Sequence, residues 1–164
     1  MNLQAKLSLM PGWTTDIVIN APSETVWQQV TYFASNQAWN PLVLQAQGDL
    51  KVGGESSLHE DLAKFAEYWL RARFLNVNSP QSFVWEGHWL APFLFKVRQK
   101  FTFEAISKDQ TRLTLQHKHS GLFVPYLALR GVYSVSHKGH LNFNQALKEY
   151  CESLSTNQHK RLEN

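Results

Sequence analysis

Cysteine is nearly absent: Cys151 is the only one in 164 residues. No intrachain disulfide can form, which excludes the small secreted scaffolds that hold a thin core together covalently. Charge is sparse too, with 18% of residues being Asp, Glu, Lys or Arg and a net charge of +3. The one adjoining basic pair, Lys160–Arg161, sits in the tail, so nothing in the charge pattern points to nucleic acid as a partner. No window reaches the roughly 20 apolar residues of a membrane-spanning helix. Met1–Met10 carries one lysine and no continuous apolar core. That makes a poor signal peptide, and the cytoplasm is the expected location. A glycine-rich phosphate loop, a nucleophile elbow and an HExxH helix are all missing, so no cofactor is expected.

What the chain has in quantity is aromatic surface: 13% of residues, including six Trp and ten Phe. Rings carry the largest buried area per residue, so they make either a bulky core or a lined pocket. The length suits one domain spanning 1–164, with a core over about 13–155. Trp13–Asn20 reads as a strand, stopped by Ala21-Pro22-Ser23-Glu24, with Ser23 as a candidate N-cap. Val26, Trp27, Val30 and Phe33 recur at helical spacing, and Ser35–Trp39 suggests a second short helix ended by Asn40-Pro41. Beyond Pro41 the period becomes two. Strand-like runs occupy Leu42–Ala46, Glu55–Leu62, Phe65–Val77, Ser82–Trp89, Phe95–Ile106 and Thr111–Ser120. Their short links predict hairpins and an antiparallel sheet. From Leu129 to Ser155 helical spacing returns, with Val132, Val135, Gly139, Phe143, Ala146, Tyr150 and Leu154 as the apolar stripe. Such a helix spans roughly 40 Å and can cover the sheet. Asn157–Asn164 reads as a frayed tail.

Several segments in this order resemble a known superfamily. Asp16-Ile17-Val18-Ile19-Asn20-Ala21-Pro22, Val26-Trp27, Trp39-Asn40-Pro41, Gly48 and Gly53 are similar to the opening of START-like (SRPBCC) proteins. Phe83-Val84-Trp85-Glu86-Gly87 and His119-Ser120-Gly121-Leu122-Phe123-Val124-Pro125 resemble its later signatures. The branch concerned is polyketide cyclase/dehydrase and lipid transport. The resemblance implies an α+β helix-grip fold, START-like or Bet v allergen-like. In that fold about seven antiparallel strands curve around a long C-terminal helix, with two short helices after the first strand. It also implies an internal hydrophobic cavity, but no particular reaction.

Strand alternation then proposes the cavity lining. Leu115, His117 and His119 share a face opposite Arg112 and Lys118; Gln99, Phe101 and Phe103 oppose Arg98, Lys100 and Glu104. Tyr68, Leu70 and Phe74 turn in while Glu67, Arg71 and Arg73 turn out, and Phe83 and Trp85 line the adjacent strand. Val135 and Phe143 face them from the helix. These side chains form a pocket wall or simply fill the core; the polar set Gln99, His117, His119 and Tyr68 favours the pocket, since buried polar groups need partners. Two apolar stretches, Trp89–Phe95 and Leu122–Leu127, occupy positions where turns are usually polar. They contribute Trp89, Phe93, Phe123 and Tyr126 as a candidate portal, which also suits transient membrane contact. The alternative is that the two stretches pack on each other.

His117 with His119, or His137 with His140, could each begin a metal site, but no third ligand completes either pair, and no metal is expected. His117 or His119 as base with Tyr68 or Gln99 as donor is the enzymatic option. Three readings follow: a carrier of a small hydrophobic molecule, a cyclase or dehydratase in the same cavity, and an interaction or stress-response module using the apolar loops. The oligomeric state and the ligand's identity are not encoded in any motif.

Overall fold

The structure is a computed structural model that describes the backbone of residues 12–61 and 67–162, and their side chains except at 61, 68 and 156–162. The period-two segments form β1 (Gly12–Ile19), β2 (Val43–Gly48), β3 (Glu55–Asp61), β4 (Glu67–Asn78), β5 (Ser82–Trp89), β6 (Phe95–Ser107) and β7 (Gln110–Ser120). They join in one antiparallel sheet of order β1-β7-β6-β5-β4-β3-β2. Each strand from β2 onward pairs with its successor, and β1 closes on β7 with Thr15 opposite Leu115. Helix α1 (Ser23–Thr31) and a 3-10 segment (Phe33–Ala38) carry the chain from β1 to β2 across the whole sheet. Two helices, α2 (Val124–Leu129) and α3 (Val132–Leu162), follow β7.

Alternation divides the faces as charge requires. In β6 the side chains of Val97, Gln99, Phe101 and Phe103 are buried while Arg98 and Lys100 are exposed. The core runs along that inward face, where Leu70, Phe74, Phe83, Trp85, Leu113 and Leu115 meet Val26, Trp27 and Val30 of α1 and Phe143, Leu147 and Cys151 of α3. Lys148 fastens α3 to the sheet edge, donating to the Val18 carbonyl at 2.8 Å and pairing with Glu152, which in turn accepts from the Asn20 N–H at 2.8 Å.

The structure revises four sequence expectations. Ser23 is the first helical residue rather than a cap; Pro22 sits at the boundary and no side chain caps the helix. The second helix is a 3-10 segment, as its short, polar FASNQA sequence allows. The apolar stretch before the long helix is itself helical: Pro125 suits the first turn of α2, and Gly131, at φ +76°, ends it. A side chain at Gly131 would meet no atom within 4 Å, so the glycine answers to backbone conformation, not to space. At its other end α3 continues helically to Leu162 instead of fraying at Asn157.

The face that α3 buries also differs. Tyr133, Ser136, His140, Asn144, Leu147 and Cys151 are deeply buried together with Phe143, the one member of the expected stripe among them. Ala146 and Tyr150 of the expected stripe pack at its flank. The helix is rotated because two polar side chains on it, Asn144 and His140, find partners on the sheet, His140 Nε2 lying 3.0 Å from Gln99 Nε2. Asn144 donates to Thr15 Oγ1 at 3.1 Å, and His140 bonds the Ser136 carbonyl.

Candidate functional site

Two cavities lie between the inward face of the sheet and α3. The larger, of about 250 Å³, is walled by Leu70, Trp85, Trp89, Phe95, Val97, Gln99, His117 and His119 of the sheet and by Leu127, Val132, Ser136 and His140 of the helices. The smaller, of about 70 Å³, lies among Phe33, Phe74, Phe83, Phe101, Leu115 and Phe143, with Asn36 and Asn40 at its rim. Glu60, Trp85, Gln99 and His140 line both and so form the partition between them.

A hydrogen-bonded cluster occupies that partition. Gln99 Nε2 lies 2.7 Å from His117 Nδ1 and 3.0 Å from His140 Nε2. His140 Nδ1 is 2.7 Å from the Ser136 carbonyl oxygen, and His117 Nε2 is 2.9 Å from His119 Nε2. A carbonyl only accepts, so His140 carries its proton on Nδ1 and, when neutral, accepts at Nε2. The Gln99 amide then gives one hydrogen to His140 and the other to His117 Nδ1. His117 is left with its proton on Nε2, donated to His119. One set of tautomers, assigned from these contacts, satisfies all four without any charge.

Strand register builds this arrangement. Gln99 is directly opposite His117 across β6 and β7, Val97 is opposite His119, and Trp13 of β1 is opposite His117 on its other side. The Trp13 ring stacks on His117 at 4.4 Å with an interplanar angle of 10°, and its faces and edges also meet His137 and His140, each at 5.6 Å. Tyr133 stacks on His119 at 4.4 Å. Burial under these rings removes water from the imidazoles and holds His117 well below the ordinary histidine range, with His140 and His119 adding to the effect. Burial likewise brings His140 down to about 4; the Ser136 carbonyl opposes that shift and His137 reinforces it. His137 is lowered by burial as well. Burial pushes the Tyr133 hydroxyl up to about 12.

Of the residues singled out in the sequence, Leu70, Trp85, Trp89, Gln99, His117 and His119 line the larger cavity. Phe74, Phe83, Phe101, Leu115 and Phe143 line the smaller one. Phe103 is buried at the far end, 5.2 Å from the Trp27 ring, and borders neither; nor does Val135, which the rotation of α3 carries off the cavity wall. Tyr68 belongs to β4, but its side chain lies outside the described residues. Sequence reasoning missed Trp13, Glu60, Ser136 and His140 as parts of this site. Glu60 was accessible to it: it follows Leu58 by two residues in β3, and Leu58 packs on the core. Among the described residues no group of three or more His, Cys, Asp or Glu is disposed to hold a metal ion.

The two apolar stretches are joined to each other. Leu122 N donates to the Phe93 carbonyl at 3.0 Å and Phe123 N to the Leu94 carbonyl at 2.9 Å. Gly121, at φ +123°, makes this approach possible: a Cβ there would stand 2.4 Å from the Leu94 oxygen. Their side chains nonetheless point outward. Phe93 is 66% exposed, Leu122 71% and Tyr126 59%, while Phe123 is half-buried. Leu90 adopts φ 61°, an unfavourable conformation for leucine, at an exposed tip. Trp89 and Leu127, at the roots of the two stretches, line the larger cavity. No helix among the described residues is long and apolar enough to cross a membrane.

A sequence profile of the family described as polyketide cyclase / dehydrase and lipid transport matches residues 10–131. The chain belongs to that family. Its fold is the START-like helix grip. An aromatase/cyclase from Streptomyces sp. R1128, Zhui, superposes with a TM-score of 0.72 at 15% identity, over 86% of this chain and 93% of that one. A START superfamily protein from Mycobacterium smegmatis gives 0.70 at 16%, covering 87% and 98%. Protein NE0264 from Nitrosomonas europaea gives 0.70 at 15%, covering 95% and 99%. At these identities the likeness establishes the fold. No curated protein matches the chain in sequence.

Proposed function

We propose that the protein binds or carries a small hydrophobic molecule, lipid- or polyketide-like, in the larger cavity. The observation that carries this reading is the uneven wall of that space. Leu70, Trp85, Trp89, Phe95 and Val97 offer apolar surface, while hydrogen-bonding groups are gathered at the partition around Gln99. Such a division buries the body of a ligand and orients it by one end. The joined apolar loops beside the cavity serve as its lip, and brief contact with a membrane during exchange belongs to the same reading. Native mass spectrometry of the protein purified from its own host tests it. A retained lipid- or polyketide-sized mass is the expected result. An empty protein that also fails to take up the uncharged dye Nile red would defeat it.

A cyclase or dehydratase is the second reading, favoured by imidazoles set in a cavity wall. A general base needs a lone pair directed at the substrate. In His117 one nitrogen accepts from Gln99 and the other gives its proton to His119, which supports binding over acid–base work. Replacing His117 and His119 separately by Gln distinguishes the two: a catalyst loses turnover while the ligand stays bound.

A further inference from the structure

We propose that the cavity selects uncharged amphiphiles whose head donates a hydrogen bond, an alcohol for example, and rejects carboxylates and acceptor-only heads of the same length. This rests on the ligand-binding reading above and names the chemistry that the site would take.

The Gln99 amide carries the argument. Both of its hydrogens are committed, one to His117 Nδ1 and one to His140 Nε2. What remains for the two cavities it borders is the carbonyl oxygen, an acceptor. Turning the amide over would present its NH₂ instead, but Oε1 would then need an N–H from each imidazole. His140 already spends its Nδ1 proton on the Ser136 carbonyl, so the flipped form demands a doubly protonated, charged His140. Buried beneath Trp13, with 8% of its surface exposed, His140 would carry that charge at a high desolvation cost. The hydrogen bond from α3 therefore fixes which face of Gln99 a ligand meets.

Charge points the same way. No lysine or arginine is found among the described residues that line either cavity. The one carboxylate there, Glu60, borders both, and whatever else it touches, it offers an anion no attraction. A carboxylate head drawn into this space would exchange water for uncharged groups and the Glu60 carboxyl, with no cation to offset its charge. An ether or ester head would set oxygen against oxygen at Gln99. A hydroxyl gives its proton to that oxygen and leaves the histidine cluster intact.

The test is a series on the full chain at pH 8: 1-decanol, decyl methyl ether and decanoate, followed by calorimetry and by the fluorescence of Trp85 and Trp89 in the cavity wall. The alcohol should bind at least about tenfold more tightly than either of the others, a step that one well-placed hydrogen bond accounts for. Equal or tighter binding of decanoate or of the ether overturns the inference and leaves the binding reading in place. So does failure of the alcohol to bind a protein that takes up Nile red. If neither the alcohol nor Nile red binds, both fall together.

Discussion

Toward α1, the inward face of the sheet closes on itself: Phe83 stacks on Phe101 at 4.5 Å, and Trp27 meets Phe103 at 5.2 Å and Phe83 at 5.8 Å. Toward β1 the ring contacts are just as short, with Trp13 on His117 and Tyr133 on His119 both at 4.4 Å. Yet the larger cavity, about 250 Å³, lies at the histidine end and only about 70 Å³ among the phenylalanines. The two ends come from the same strands with the same alternation; the difference is direction. Dispersion between apolar rings falls off steeply with distance but has no fixed direction, so those rings can slide over one another until they fill the space. Imidazoles held at 2.7–3.0 Å to Gln99 cannot slide without losing their bonds. Hydrogen bonding here keeps a hollow open.

The strongest way to break this comparison is truncation at each end. Phe83→Ala removes a ring packed on four others and should cost about 3–5 kcal/mol of stability. Trp89→Ala, 43% exposed at the edge of a space already open, should cost under about 1 kcal/mol. Urea denaturation midpoints compare them. Equal losses would mean that the histidine end is packed as firmly as the aromatic one.

Acid should separate the ends next, since only one of them titrates. His140 has a folded pKa of about 4 against 6.5 in an unfolded chain. A lowered imidazole pKa means the unfolded state binds protons first as pH drops. The stability from keeping His140 neutral is therefore complete above pH 6.5 and is lost as pH falls toward 4. At 1.36 kcal/mol per pH unit the loss is about 3 kcal/mol, and His117, lowered in the same sense, adds to it. Thermal melts of wild type and His140→Gln across pH 7 to 4 should converge as pH falls. Parallel curves would mean His140 does not gain a proton on unfolding.

The aromatic end was the more legible in the sequence, for the same reason. Phe83, Trp85 and Phe101 are apolar on one face of strands whose other face carries Arg98 and Lys100, and burial follows from that contrast alone. Gln99 and His117 could be turned inward by the same rule, because their neighbours had to face water. On α3 the rule misled. Ser136, His140 and Asn144 read as polar, so the stripe was drawn through Val132, Val135 and Gly139 instead. Their burial depends on partners more than 40 residues away for His140 and 129 away for Asn144, and no local pattern carries that information. Helix α2 was hidden differently: six residues of VPYLAL are too few for periodicity to register.

The smallest effect on stability, and the sharpest on function, should come from the loops at the open end. Phe93→Ser removes a ring that is 66% exposed and Phe123→Ser one that is half-buried, so the melting temperature should fall by no more than about a few degrees. The backbone bonds that join the stretches, from Leu122 N to Phe93 and from Phe123 N to Leu94, need no side chain and should survive. Nile red uptake should nonetheless slow, because a dye crossing from water meets two hydroxyls where it met two rings. If instead the double variant melts far lower, Phe93 and Phe123 stabilise each other. The hollow at the histidine end would then be a closed chamber whose entrance lies elsewhere.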